Sequence, residues 1–207
     1  MGNEYVCILT GNRNNFLQSF KQLLDEEIIQ SRVIILWEDP TLDEVAAELK
    51  QGVEKLPVSE VITQRADDPY ETMKKLVSRK RVILWKEDVI LAPGDIVILD
   101  RTLLVPNAGI VSATGRELDL LVDDIYEPTT RSKPKEIGMI TPVDLATLDL
   151  CVVKSSVIQE LNFDIKWFGL DLRRLGYQNY LDTTINIDYV NEENKNAQNY
   201  NAQGFTC

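Results

Sequence analysis

The chain has 207 residues, 44% of them hydrophobic, and carries a formal net charge of −11 with a pI of about 4.6. That is enough for one domain with a sizeable core, and the acidic balance argues against nucleic acid or anionic lipid as partners. No stretch reaches the roughly 20 apolar residues of a membrane span, and nothing near the start reads as a signal peptide, so the expectation is a cytoplasmic protein without a transmembrane segment.

In chain order, Val6-Cys7-Ile8-Leu9-Thr10 reads as a buried strand running into the polar turn Gly11-Asn12-Arg13-Asn14-Asn15. Phe16, Leu17, Phe20, Leu23 and Leu24 then recur at helical spacing. Val33 to Trp37 is a second buried strand, ending in Glu38-Asp39-Pro40. Thr41 with Glu44 has the spacing of a capping box, and the helix it opens carries Leu42, Val45, Ala46 and Leu49 on one side. Val58 to Thr63 is a third strand. Asp68-Pro69-Tyr70-Glu71 starts a helix expected to reach about Arg79, with Asp68 as cap and Pro69 in the first turn. Arg81 to Trp85 is a fourth strand.

The second half is less regular. Pro93-Gly94 is a turn, and Ile96 to Leu104 fits both the strand and the helix period. Ala108 to Ala113 and Asp149 to Val153 read as strands, and Tyr126 to Lys135 as a loop. Ser156 with Gln159 is expected to cap a short helix, and Gly176 to end the next. Residues 1–190 are expected to form the domain and 191–207, rich in Asn, Gln and Glu, a polar tail. No internal repeat is present.

Alternating strands and helices imply a mostly parallel sheet covered on both faces. In such a sheet the ligand sits beyond the carboxyl ends of the strands. Those ends gather polar groups: Thr10 to Arg13, Glu38-Asp39, the segment from Gln64, and Glu87-Asp88. The chain has no histidine, so acid–base chemistry falls to Asp and Glu. Oxygen ligands favour Mg²⁺ or Mn²⁺ over zinc. The three cysteines, Cys7, Cys151 and Cys207, have no zinc spacing, and Cys7 and Cys151 read as core thiols. The basic cluster Lys74, Lys75, Arg79, Lys80 and Arg81 reads first as a solvated helix face.

The key segment is Ile83-Leu84-Trp85-Lys86-Glu87-Asp88-Val89, an apolar strand running directly into two acids. A carboxylate there is placed to hold a divalent cation against a diphosphate. In this order of features the chain resembles the GT-A glycosyltransferases, especially the large family-2 type. Thr10-Gly11-Asn12-Arg13 stands at the end of the first strand, Glu38-Asp39-Pro40-Thr41 at the end of the second, and Trp85-Lys86-Glu87-Asp88 at the DxD-like motif. Val105 to Gly115 looks like the strand that follows, ending in small residues. Cys151 to Asp164 resembles the next strand and helix, and Gly169 to Tyr177 the segment that carries the catalytic base. Lys86 departs from the pattern, standing where the first Asp of the motif is usual.

The resemblance implies a GT-A-like domain, Rossmann-like, with a mostly parallel sheet, helices on both faces and a small second sheet. It implies metal-dependent transfer of a sugar from a UDP- or GDP-sugar to an acceptor hydroxyl, with inversion. By the same resemblance, Thr10, Asn12, Arg13, Glu38, Asp39, Arg65 and Lys74 are nucleotide-binding candidates. Asp88, Glu87 and Asp188 are metal-binding candidates for Mn²⁺ or Mg²⁺. Asp171 is the candidate base, with Asp164 as its rival. The acceptor, a glycan or a protein, is not written in the sequence, and a homo-oligomer is compatible with it. Two other readings stand beside this one: a degenerate GT-A-like binding or assembly domain, and a nucleotidyltransferase. The latter is weakened by the single glycine in Gly11-Asn12-Arg13-Asn14.

Overall fold

The computed structural model describes residues 3–10, 31–87, 89–90, 92, 94–114, 140–143, 148–161 and 168–189. Four apolar runs form the first half of the sheet: β1 (Glu4–Leu9), β2 (Arg32–Trp37), β3 (Glu60–Arg65) and β4 (Arg81–Lys86). They pair in parallel in the order β3-β2-β1-β4. The two-residue β5 (Val89–Ile90) follows, then β6 (Ala108–Thr114), β7 (Ile140–Val143), β8 (Leu150–Lys154), β9 (Gln178–Asn186) and β10 (Asp188–Tyr189). The sheet continues from β4 through β8, β6 and β9 to β7, giving eight strands. Strand β8 is antiparallel to β4 and β6, and β7 is antiparallel to β9, while β6 and β9 are parallel. Strands β10 and β5 make a separate antiparallel pair.

Side chains alternate across the strands, and the alternation sorts the helices onto the two faces. Val33, Ile35 and Trp37 of β2 share one cluster with Ala46, Leu49 and Val53 of α1 (Asp43–Val53) and with Ile96 and Leu99 of α3 (Asp95–Thr102). Ile34 and Leu36 face the other way. They join Met73 of α2 (Pro69–Leu76), Val157 and Ile158 of α4 (Ser155–Glu160), and Leu172 of α5 (Phe168–Arg174). Both faces of the parallel half are dry, which is why its strands are continuous apolar runs. Cys7 and Cys151 are buried and not disulfide-bonded, and burial pushes the Cys151 thiol far above its usual range.

Local chemistry sets the element ends. Asp68 caps α2 by accepting from the Glu71 N–H at 2.9 Å, with Pro69 in the first turn, as the sequence predicts. The helix stops at Leu76 rather than near Arg79. Glu4 is the reason: its carboxylate, fully buried at the start of β1, accepts from the N–H groups of Ser78 (3.0 Å) and Arg79 (3.1 Å), drawing that backbone out of the helix. The Thr41–Glu44 capping box does not form. Asp39 instead caps a 3₁₀ turn over Pro40–Leu42 by accepting from the Thr41 N–H at 2.8 Å, and α1 starts behind it without a side-chain cap. Ser156 does not cap α4, which already begins at Ser155, and Gln159 donates to the carbonyl of Lys74 at 2.7 Å.

Strand β3 lies two residues later than its apolar pattern indicates, because its register is set by pairing with β2. Residues 96–104, ambiguous in period, start as the helix α3 behind Gly94. Strand β7 contains Pro142 and carries no strand signature. It is tolerated because it lies at the sheet edge, where a missing N–H breaks no second ladder. Gly176 ends α5 at a φ of 80°, with the Tyr177 N–H returning to the Leu172 carbonyl at 2.9 Å. Among the described residues no helix is long and apolar enough to cross a membrane. The expected helix around 16–24, the loop 126–135 and the tail from 191 lie outside the described residues.

Candidate functional site

The chain moves outward from β1 to β2 and β3, then crosses back to place β4 on the other side of β1. The strand order therefore reverses between β1 and β4, and a crevice is expected at the carboxyl ends of those two strands. Thr10 leaves β1 there and Glu87 leaves β4. Glu87 is buried, with 5% of its surface exposed. Its Oε2 accepts from the Thr10 N–H at 2.6 Å and its Oε1 from the Thr10 hydroxyl at 3.3 Å. Two neighbouring strand exits are thus tied by a carboxylate laid across the switch point. Truncation by Glu87→Ala is expected to destabilise the fold by about 1.5–3 kcal/mol, since a buried charged acceptor is lost from the two donors of the exposed Thr10. Chemical denaturation checks this, and an unchanged midpoint would show that the bridge is not structural.

The polar residues at the end of β2 lie along the same edge. Glu38 and Asp39 are exposed, and the backbone N–H and hydroxyl of Thr41 hold the Asp39 carboxyl below the usual carboxylate range. Asp43 joins this end to that of β3, accepting from the indole of Trp37 at 2.7 Å and from Arg65 Nη1 at 3.0 Å. Arg65 is about half exposed in that ion pair. Lys74 is not brought to this edge. It sits in the last turn of α2, past the half of the helix nearest the strand ends, and pairs with Glu71.

Sequence reasoning missed Asp149. It immediately precedes β8, and because β8 runs against β4, it falls beside the exit of β4. Its carbonyl accepts from the Lys86 N–H at 2.7 Å, and its carboxylate lies 3.7 Å from Lys86 Nζ. Tyr70, in the first turn of α2, feels the same group. Burial pushes its phenol up, Cys151 and Asp149 add to the shift, and Lys86 opposes it. An acid before an apolar run is visible in the sequence, but the direction of the strand behind it is not.

Asp171 lies in the first turn of α5. Its side chain is 21% exposed, and its Oδ1 is 3.4 Å from Arg174 Nη1. The backbone of Asp188 pairs with that of Ile90, so the carboxyl-terminal strand β10 lies against the segment that follows Glu87. Asn12, Arg13, Asp88 and Asp164 lie outside the described residues, and of Asp188 only the backbone is described. Among the described residues, no three acidic or cysteine side chains converge as a metal site. Glu87 turns its carboxylate to Thr10, and Asp149 faces an ammonium.

No family model matches the sequence, and no curated protein matches it either. Among solved structures, the chain is similar to the mannosyltransferase PcManGT from Pyrobaculum calidifontis, solved in complex with GDP-Man and Mn²⁺. The TM-score is 0.64 at 10% identity, over 95% of this chain and 59% of that one. It is also similar to GalNAc-T7, solved with UDP, GalNAc and Mn²⁺, with a TM-score of 0.63 at 8% identity over 91% of this chain and 43% of that one. The chain therefore spans less than two thirds of either protein's length. Its strand order and its two helical layers are those of a GT-A-like fold.

Proposed function

We propose that the chain binds a UDP- or GDP-sugar at the carboxyl edge of β1, β2 and β4 and transfers the sugar to an acceptor hydroxyl. The observation that carries this reading is the switch point between β1 and β4, flanked by exposed carboxylates at the end of β2, within a fold whose solved neighbours hold GDP-Man or UDP. Glu38 and Asp39 accept hydrogen bonds from the nucleoside. Asp39 stays ionised there because Thr41 favours its charged form. Asp171 takes the proton of the acceptor hydroxyl as that oxygen bonds to the anomeric carbon. The bond from that carbon to the diphosphate oxygen breaks, the nucleoside diphosphate leaves, and the sugar carbon is inverted.

Calorimetric titration of UDP, GDP and dTDP tests this. One nucleotide is expected to bind, and Asp39→Asn to weaken it about tenfold, the loss of one charge-assisted hydrogen bond. Asparagine caps as well as aspartate, so the 3₁₀ turn stays in place and the effect reads on the ligand. Silence across all three nucleotides would remove the reading.

A second reading, a GT-A-like binding domain without catalysis, is favoured by one observation: Lys86 and the committed Glu87 replace an open acidic pair at the exit of β4. It predicts nucleotide binding with no donor turnover.

A further inference from the structure

Gly109 is the second residue of β6. Ala108 pairs with Gln178 and Ile110 with Asn179, so Gly109 is an extra residue on β6 opposite two consecutive residues of β9. That is a β-bulge, which bends a strand locally and re-aims what lies on it. A Cβ added to Gly109 would lie 2.8 Å from Tyr177 Cβ and 3.1 Å from Leu172 Cδ2. Carbon atoms pack at roughly 3.5–4.0 Å. Rotating the Tyr177 ring cannot relieve the contact, because the atom in the way is its own Cβ. The bulge is therefore a notch, and α5 with the turn behind it is seated in that notch.

The sheet side of the notch is pinned. The Gln178 N–H donates to the Asn107 carbonyl at 2.8 Å, and Lys154 Nζ stands 5.7 Å over the Tyr177 ring. On the other side, α5 meets the sheet through the fully buried Leu172. Asp171 is the residue before Leu172, and its carbonyl accepts from the Leu175 N–H at 3.1 Å. A lift of the helix at Leu172 therefore carries Asp171 with it.

Resting on the reading of Asp171 as general base, we propose that Gly109 is a positioning residue for that base: the missing side chain sets how close α5 lies to β6, and with it the reach of the Asp171 carboxylate. A methyl group at 109 pushes α5 outward by up to about 1 Å to restore ordinary carbon contacts. A misplacement of that size is enough to cost a reaction about 10²-fold.

The test is Gly109→Ala made in the wild-type chain and in Asp171→Asn, with turnover read as release of nucleoside diphosphate and affinity read by calorimetry. Turnover is expected to fall about 10–100-fold in the wild-type background and to change by less than about twofold in Asp171→Asn, with nucleotide affinity held within about twofold in both. A general loosening of the fold would lower turnover by the same factor in both backgrounds. Equal losses, or wild-type turnover in Gly109→Ala, overturn the inference and leave the donor site standing. If Gly109→Ala does not fold, Leu172→Met decides by the same comparison, since it keeps the volume but removes the Cδ2 branch that fills the notch. A loss confined to the chain that keeps Asp171 supports the inference, and an equal loss or none overturns it. If Asp171→Asn alone turns over like wild type, the base reading itself fails, and this inference with it.

Discussion

Glu4→Ala is expected to destabilise the fold by about 3–5 kcal/mol, the cost of breaking a buried ion pair from one side. Glu4 has no exposed surface. Its Oε1 accepts from Arg32 Nη1 at 2.6 Å, and its Oε2 from the two N–H groups beyond α2. Arg32 is only 12% exposed, and the same guanidinium also donates to the Leu76 carbonyl at 2.6 Å and to Glu60 at 2.7 Å. Removing the carboxylate leaves a largely buried cation short of one of its two closest partners and two backbone donors without theirs. Glu4→Met with Arg32→Met removes both charges and should recover part of the loss. It cannot recover all of it, because the N–H groups of Ser78 and Arg79 stay unmatched. Urea denaturation measures this as a fall in midpoint at constant slope. Glu4 lies at the amino edge of the sheet, so nucleotide affinity in the folded variant should not change. A midpoint within about 1 kcal/mol of wild type would show that the network adds little.

The same residue shows what the sequence reveals and what it hides. Strands β1, β2 and β4 are legible because burial on both faces requires unbroken apolar runs, and Val33 to Trp37 has no other stable use. The cap at Asp68 is legible because its geometry is local. The end of α2 is not, because it depends on a carboxylate more than seventy residues earlier in the chain. The place of Asp149 beside Lys86 is hidden for the same reason, since it follows from the antiparallel direction of β8. Glu87 was visible as an acid at a strand end. Its inward turn toward Thr10 was not, because polar residues end most strands and only packing decides which way each one faces. The edge proposed to bind ligand was thus readable from residue types, while the division of its charges between structure and chemistry was not.

That division is sharpest at Asp171, where Asp171→Asn is expected to lower donor turnover by about 10²–10⁴-fold, the usual contribution of a general base. Asparagine has the shape of aspartate and keeps a carbonyl oxygen facing Arg174, but it cannot take a proton from the acceptor hydroxyl. The ion pair it weakens is mostly exposed on the Arg174 side, at 76%, so the cost in stability should be under about 1 kcal/mol. Nucleotide affinity should hold within about twofold, because the base acts on the acceptor and not on the diphosphate. Turnover is followed as release of nucleoside diphosphate from the bound donor, with water or an added hydroxyl compound as acceptor, and melting and titration are run on the same samples. A variant that folds and binds but turns over at the wild-type rate would strip Asp171 of the role and pass it to another carboxylate. A wild-type chain that binds donor and never releases product would make the domain a binder, its Asp171–Arg174 pair an ordinary i,i+3 contact on a surface helix.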